Sequence, residues 1–243
     1  MRLINNISLL YVFLILFLPG IGFAQDFNKG MEAARSGDYN AALTEWMPLV
    51  EAGDADAQWA LGYLYKSGMG VPLNYAEAVR LFRLSAKQGH SAAINSLGTM
   101  YSNGWGIDKN KTEGIKLYQK SAEMGNPSAQ QNLARSYYDG DGVSKNNNEA
   151  FYWWKEAAQQ GHKYAQYNLG QLYFKGEGTV QNYLLSHMWT NISARHSSRA
   201  RTFREKLNKE LSETQIAKAQ SMAVLCIKQE YKNCDTINPN AKD

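Results

Sequence analysis

The side chains that could carry out chemistry are few and scattered along the chain. The four histidines are His90, His162, His187 and His196, and none belongs to an H-E-x-x-H zinc motif. No serine is followed three residues later by lysine, the spacing with which serine acylases activate their nucleophile. A phosphate-binding glycine loop is also missing. The sequence therefore predicts a protein that is not an enzyme and that has no catalytic residues, cofactor or metal.

The two cysteines favour a disulfide over a metal site. Cys226 and Cys234 lie close together near the C-terminus, and no neighbouring histidine would complete a tetrahedral zinc site. An even, closely spaced pair is typical of one disulfide in an exported protein, and a pair of free thiols is the alternative.

The N-terminus has the pattern of an export signal. Arg2 precedes an unbroken apolar run from Leu9 to Leu18, and Gly22-Phe23-Ala24 supplies the small-x-small pattern of a cleavage site. We expect cleavage before Gln25, a periplasmic or secreted protein, and no stable membrane insertion afterwards. An uncleaved anchor is the alternative, although the apolar run is short for a spanning helix, which needs about 20 residues.

The charge of the chain is nearly balanced. Lys and Arg total 26 against 22 Asp and Glu, which argues against a nucleic-acid partner. One segment, residues 195–209, is rich in arginine and lysine. It could make weak contact with an anionic surface, although a solvated helix face is the simpler interpretation.

The elements that position these residues repeat with a period of 36. Alanine, leucine and tyrosine recur at i, i+4 and i+8, which places them on one face of a first helix, helix A. Two glycines then end helix A, and an asparagine caps a second helix, helix B, with glutamate three residues on in three copies. Six offsets are identical in all four copies, represented in the first copy by Ala57, Leu61, Tyr65, Gly68, Gly70 and Asn74.

Each copy is therefore a pair of antiparallel helices that must stack on its neighbours to bury its apolar face. His90 and His162 stand at the corner between copies where Asp54 and Asn126 also occur, which favours helix capping over catalysis. The predicted segments are a signal peptide at 1–24, an N-terminal capping helix pair at 25–53, repeats at 54–89, 90–125, 126–161 and 162–197, C-terminal capping helices at 198–234, and a flexible tail at 235–243.

The unit A-Q-x-x-L-G-x-x-Y-x-x-G-x-G-V resembles the Sel-1-like repeat, a relative of the tetratricopeptide repeat. It is seen here as Ala57-Gln58, Leu61-Gly62, Tyr65, Gly68 and Gly70-Val71. The resemblance implies an all-α, right-handed solenoid whose concave face contacts proteins, in an envelope scaffold, a regulator or a host-interaction factor. A cysteine-rich branch of the family, to which penicillin binding and weak β-lactamase activity are attributed, offers a cell-wall or β-lactam-binding hydrolase as the alternative. No repeat here contains cysteine.

Two offsets of helix A differ between the copies and are the predicted partner-binding positions. They lie four residues apart, so they could form one stripe along the stack that binds a protein or peptide. Packing between repeats is the alternative interpretation. The eight residues, which we call the stripe, are Trp59, Tyr63, Asn95, Thr99, Gln131, Arg135, Tyr167 and Gln171.

Overall fold

The computed structural model describes residues 26–238, in which twelve α-helices and one short 3-10 helix are found and no β-strand. Residues 1–24, the predicted signal peptide, and residues 239–243 of the predicted tail lie outside this range. No helix between residues 26 and 238 is long and apolar enough to span a membrane. The helices are α1 Phe27–Ser36, α2 Tyr39–Glu51, α3 Ala55–Ser67, α4 Tyr75–Lys87, α5 Ser91–Asn103, α6 Lys111–Glu123, α7 Pro127–Asp139, α8 Asn147–Gln159, α9 Lys163–Lys175, α10 Tyr183–Ala194, α11 Ser198–Leu207 and α12 Glu213–Lys228.

The helices form one continuous stack. Each helix from α1 to α10 packs against the next in the chain, and α12 packs on α10. The four repeats are the pairs α3 with α4, α5 with α6, α7 with α8, and α9 with α10. Because α5 also contacts α7, alternate helices lie side by side. We call the surface formed by α3, α5, α7 and α9 the A-helix face. The predicted all-α array of helix pairs is confirmed.

The seam inside a repeat depends on small residues of helix A. Ala57 and Leu61 on α3 are buried, and Phe82 on α4 is fully buried. A Cβ atom at Gly62 would lie 2.8 Å from the Phe82 ring, closer than such atoms approach. Glycine at this position therefore lets an aromatic ring of helix B pack directly on the backbone of helix A.

The ends of the helices follow the sequence pattern. Gly68 ends α3 with a φ of 67°, in the left-handed region that glycine adopts without strain. Asn74 is the N-cap of α4, and its side chain accepts a hydrogen bond from the backbone N–H of Glu77 at 3.0 Å. The other repeats end helix A at Gly104, Gly140 and Gly176 and begin helix B at Asn110, Asn146 and Asn182.

The capping boxes expected in the repeats are only half formed. The carboxylate of Glu77 pairs with Arg80 at 2.6 Å instead of returning to the backbone of Asn74. A complete reciprocal cap is found at the start of α12, between Ser212 and Gln215. An exposed arginine three residues away competes successfully for the glutamate, since an ion pair joins two charged groups.

The C-terminal end packs on the fourth repeat. Cys226 of α12 and Cys234 form a disulfide, with 5.0 Å between their Cα atoms. Beyond it the chain forms the 3-10 helix Cys234–Thr236. Oδ1 of Asp235 accepts the indole N–H of Trp189 at 3.0 Å, and Oδ2 pairs with Lys155 at 2.7 Å. This carboxylate is therefore held by α8 and α10, at the start of the segment 235–243 that the sequence predicts to be a flexible tail.

Candidate partner-binding surface

The eight stripe residues all lie on the A-helix face, two on each of its four helices. They are not equally accessible. Tyr63 is 43% exposed, and the side chain of Arg135 is 74% exposed. The other six are half-buried. The stripe is therefore only partly exposed to solvent.

The first offset of the stripe joins neighbouring repeats. Nε1 of Trp59 donates to Oγ of Ser96 at 3.3 Å, and the Trp59 ring also packs on His90 with 5.4 Å between centroids. In the next repeat, Nδ2 of Asn132 donates to Oδ1 of Asn95 at 2.9 Å. Each of these residues bonds to the residue 37 positions later. Packing between repeats, the alternative interpretation, thus accounts for part of what these side chains do.

The same contact continues at Gln131, whose Oε1 accepts from Nδ2 of Asn168 at 3.5 Å. The bond occupies one polar atom of each amide, and neither Nε2 of Gln131 nor Oδ1 of Asn168 forms a hydrogen bond within residues 26–238. Both amides line a groove of this face. Gln131 and Asn168 can therefore join the two repeats and still offer hydrogen-bonding atoms to a bound chain.

Three grooves follow one another along the A-helix face. Groove 1, of about 250 Å³, lies between the N-terminal helix pair and α3. It is lined by the stripe residues Trp59 and Tyr63, together with Met31, Leu64 and Met69. Tyr63 and Met69 are both exposed. Groove 1 is thus an apolar site that an aliphatic or aromatic side chain could fill.

Groove 2, of about 390 Å³, lies between the second and third repeats. The stripe residues Thr99 and Arg135 line it, and Lys111 and Asp141 form an ion pair at its edge. Oγ1 of Thr99 accepts from the Tyr118 hydroxyl at 3.2 Å, which fixes the wall on that side. Groove 2 is polar and carries charges of both signs.

Groove 3 is the largest of the three, at about 630 Å³, and lies between α7, α9 and the start of α11. Four stripe residues, Gln131, Arg135, Tyr167 and Gln171, line it. Nε2 of Gln171 donates to the Tyr167 hydroxyl at 2.9 Å. The Tyr167 ring in turn meets Phe203 of α11 edge-on, with 6.0 Å between centroids. The walls of groove 3 are therefore braced by contacts among themselves.

The residues of groove 3 that sequence reasoning missed include Tyr138, Tyr164 and Arg199. Tyr164 is 71% exposed and lies three positions before Tyr167, so helical spacing could have found it. Arg199 was assigned to the basic segment, and only the stacking of α11 on the fourth repeat brings it to this face. Tyr138 belongs to no repeated offset of the motif and carries no signal in the sequence.

Three of the four histidines have a structural role. His90 and His162 cap α5 and α9 by accepting the N–H of Ala93 and Ala165, as predicted. His187 is fully buried, and its Nε2 lies 2.9 Å from Oδ1 of Asn208. Burial lowers the pKa of His162 and of His187. Between residues 26 and 238, no three His, Cys, Asp or Glu side chains are grouped as metal ligands would be.

The basic segment is partly engaged within the protein. Arg204 donates to Oδ1 of Asn191 at 2.8 Å, and Arg201 donates to the carbonyl of Ala194 at 3.1 Å. Lys206 lies over the Phe174 ring, 4.8 Å from its centroid. These contacts dock α11 on the fourth repeat and give the cations a structural role.

The repeats match a known family. A model of the Sel1 repeat matches residues 55–90, 91–126, 127–162 and 163–198, more than half of the 243-residue chain. The chain belongs to the Sel1 repeat family. Sel1 repeat proteins generally mediate protein–protein interaction and generally act as scaffolds rather than as enzymes. No curated protein matches the sequence.

Solved structures of Sel1 repeat proteins share this fold. A protective antigen present in uropathogenic Escherichia coli strains, which displays an SLR fold, has a TM-score of 0.74 and 24% identity. The match covers 89% of this chain and 49% of the antigen, so this chain spans about half of the antigen's length. A Sel1 repeat protein from Oxalobacter formigenes has a TM-score of 0.67 and 28% identity, with 74% of each chain covered.

Proposed function

We propose that this Sel1 repeat protein is an exported scaffold that binds a protein or peptide along the concave face of its solenoid, which we take to be the A-helix face. The observation that carries the proposal is the coincidence of the stripe with the three grooves. Seven of the eight stripe residues line groove 1, 2 or 3, and the eighth, Asn95, is bonded to Asn132, which lines two of them. A bound segment would contact successive repeats, with no single residue indispensable.

Export is part of the proposal. The disulfide between Cys226 and Cys234 is of the kind that persists in an oxidising compartment. The apolar run at Leu9–Leu18 and the small residues that follow it suit a cleaved signal peptide. A periplasmic or secreted scaffold, acting in envelope maintenance, regulation or host interaction, fits both features.

Binding without catalysis is supported by what the grooves contain. Groove 3 holds one histidine, His162, whose Nδ1 is occupied by the cap of α9 and whose pKa is lowered by burial. Serines line the grooves, but among the described residues none is hydrogen-bonded to a histidine or lysine that could act as its base. The hydrolase alternative gains no support from this geometry.

The test uses alanine substitutions that leave the seam intact. Tyr63→Ala and Arg135→Ala remove exposed side chains, so the fold should persist while partner affinity falls in graded steps of about 1–3 kcal/mol. Lys87→Ala and Lys120→Ala, on the exposed sides of α4 and α6, are matched controls. A β-lactam reporter and peptidoglycan fragments are assayed in parallel. Turnover that one substitution abolishes would refute the scaffold in favour of the hydrolase.

A further inference from the structure

The A-helix face changes character along its length. Groove 1 is lined mainly by apolar side chains, with Arg35 as its single charged residue. Helix α5 carries no charged residue at all. Beyond it, Lys111 and Arg135 line groove 2, and Arg135 and Arg199 line groove 3. A chain lying along the face therefore meets mainly apolar surface at one end and, at the other, charged surface with more cations than carboxylates.

The same change from apolar to basic residues is seen at one position of the loops that lead from helix A to helix B. Leu73 in the first repeat is 56% exposed, and the corresponding residues of the next two repeats are Lys109 and Lys145. Lys109 lines groove 2. Lys145 lies over the ring of Tyr138, a wall of groove 3, 5.3 Å from its centroid. The exposed leucine is thus on the apolar side and the two lysines are on the basic side.

Several of these cations lack a carboxylate partner in the protein. Lys109, Lys145 and Arg199 form no ion pair among residues 26–238. The carboxylates on this side are fewer and already used, since Asp139 pairs with Arg135 at 3.4 Å and Asp141 pairs with Lys111. Cations left unpaired beside a groove favour a partner that brings carboxylates.

From this arrangement we infer that the partner segment is an extended chain with two distinct ends. One end places a large apolar side chain in groove 1, against Tyr63 and Met69. The other end places aspartate or glutamate carboxylates at groove 3, near Arg199 and the terminal guanidinium nitrogens of Arg135, whose Nε is the atom that pairs with Asp139. The inference rests on the proposed function, and it specifies the chemistry of the partner and where each part of it lies.

The two anchors of such a segment are a defined distance apart. Neighbouring packed helices are about 8–10 Å apart, so the two and a half steps from α3 to the midpoint between α7 and α9 span roughly 20–25 Å. An extended chain advances about 3.3 Å per residue. The apolar anchor and the acidic anchor are therefore separated by about six to eight residues.

A displayed library of random dodecapeptides, selected on the folded protein, tests this inference. Selected peptides should be enriched in Asp or Glu six to eight residues from a Leu, Met, Phe or Trp. The double variant Arg135→Gln with Arg199→Gln should lose the acidic enrichment and keep the apolar one. Tyr63→Ser with Met69→Ser should do the reverse. The control, Lys87→Gln with Lys120→Gln, removes two positive charges elsewhere and should select the same peptides as the unchanged protein.

Affinities of individual peptides give the quantitative readout. A selected peptide should bind the Arg135→Gln, Arg199→Gln variant about tenfold more weakly than the control variant, and high salt should weaken its binding to the unchanged protein. Selected peptides without acidic enrichment, or with an enrichment that the arginine variant retains, would overturn the inference while leaving peptide binding intact. Failure to select any peptide would contradict the proposed function and the inference together.

Discussion

Trp189 and Asp235 join the last repeat to the C-terminal end of the described chain, with 3.0 Å between the indole nitrogen and Oδ1 of the carboxylate. Trp189 is fully buried on α10, and the same carboxylate pairs with Lys155 of α8. Burial, and after it the charge of Asp235, raises the pKa of Tyr173 nearby. Asp235 therefore links the C-terminal end to the third and fourth repeats through both of its carboxylate oxygens.

Replacing Asp235 should destabilise the fourth repeat. Asp235→Ala leaves the indole N–H of Trp189 and the ammonium of Lys155 without their partner, at a cost of about 2–4 kcal/mol. Asp235→Asn keeps an acceptor for Trp189 and should cost less. Urea unfolding followed by tryptophan fluorescence measures both. Equal stability of the alanine variant and the unchanged protein would show that the carboxylate does not hold this end.

The disulfide should act on the same region only. A loop as short as that between Cys226 and Cys234 is expected to contribute about 2.5 kcal/mol or less. The paired variant Cys226→Ser with Cys234→Ser should therefore raise amide hydrogen exchange in α12 and around Asp235. Exchange in α3 to α8 should stay unchanged, because contacts in the stack are between neighbouring helices. Loss of protection along the whole array would contradict this local role.

Stability should fall on mild acidification. Burial lowers the pKa of His162 below its ordinary value of 6.5. Above pH 6.5 the imidazole of His162 is therefore neutral in the folded and in the unfolded chain, and the free energy of unfolding has its full value. Below pH 6.5 the unfolded chain takes up the proton first, and stability decreases until the folded pKa is passed. Protonation would also occupy Nδ1, which accepts the N–H of Ala165. Thermal unfolding between pH 7.5 and 5 measures the loss.

His162→Asn separates this titration from the cap. Asn126 already caps the corresponding helix of the preceding repeat, so asparagine should keep the cap of α9 and remove the proton uptake. The variant should show a shallower loss of stability with pH. His187, whose pKa is lowered in the same direction, accounts for part of the remaining loss. An unchanged pH profile in the variant would exclude His162 as a source of the effect.

Gly62 should not tolerate a methyl group. Gly62→Ala would push a Cβ against the Phe82 ring, and overpacking of this kind costs about 1–3 kcal/mol. The third repeat has Ala134 at the same position, fully buried, where Trp154 replaces the phenylalanine. Ala134→Gly is therefore the matched comparison and should be destabilising through lost packing. Urea unfolding midpoints measure the stability of both variants. An unchanged midpoint for Gly62→Ala would mean that the seam has more room than the structure gives it.

Sequence alone was sufficient for the parts of the fold that repeat. The glycines at fixed offsets predict where helix A ends and the asparagines where helix B begins, because capping is a local property of the backbone. The alanine and leucine offsets predict the seam, because they lie on one face of the helix. It was insufficient where distant segments meet. Arg199 reaches groove 3 only through the docking of α11, and Asp235 finds Trp189 across 46 positions of chain.

The stripe was recognised by its variation between copies, yet variation does not distinguish a side chain that bonds to the next repeat from one that faces solvent. Trp59 and Tyr63 are equally variable offsets on the same helix. Trp59 is half-buried and bonded to Ser96, whereas Tyr63 is 43% exposed. That difference arises because the Trp59 side chain contacts Ser96 and His90 of the next repeat, and variation between copies does not reveal such contacts.

The most direct test of partner binding on the A-helix face is site-specific photo-crosslinking. A photoreactive phenylalanine analogue replaces Tyr63, Thr99 or Gln171 on this face, or Lys87, Lys120 or Tyr152 on α4, α6 and α8. Each protein is mixed with envelope extract, irradiated, and analysed by mass spectrometry. The account predicts one shared partner, crosslinked from the three positions of the A-helix face and not from the other three. Adducts formed equally from α4, α6 and α8, or from those helices alone, would contradict it.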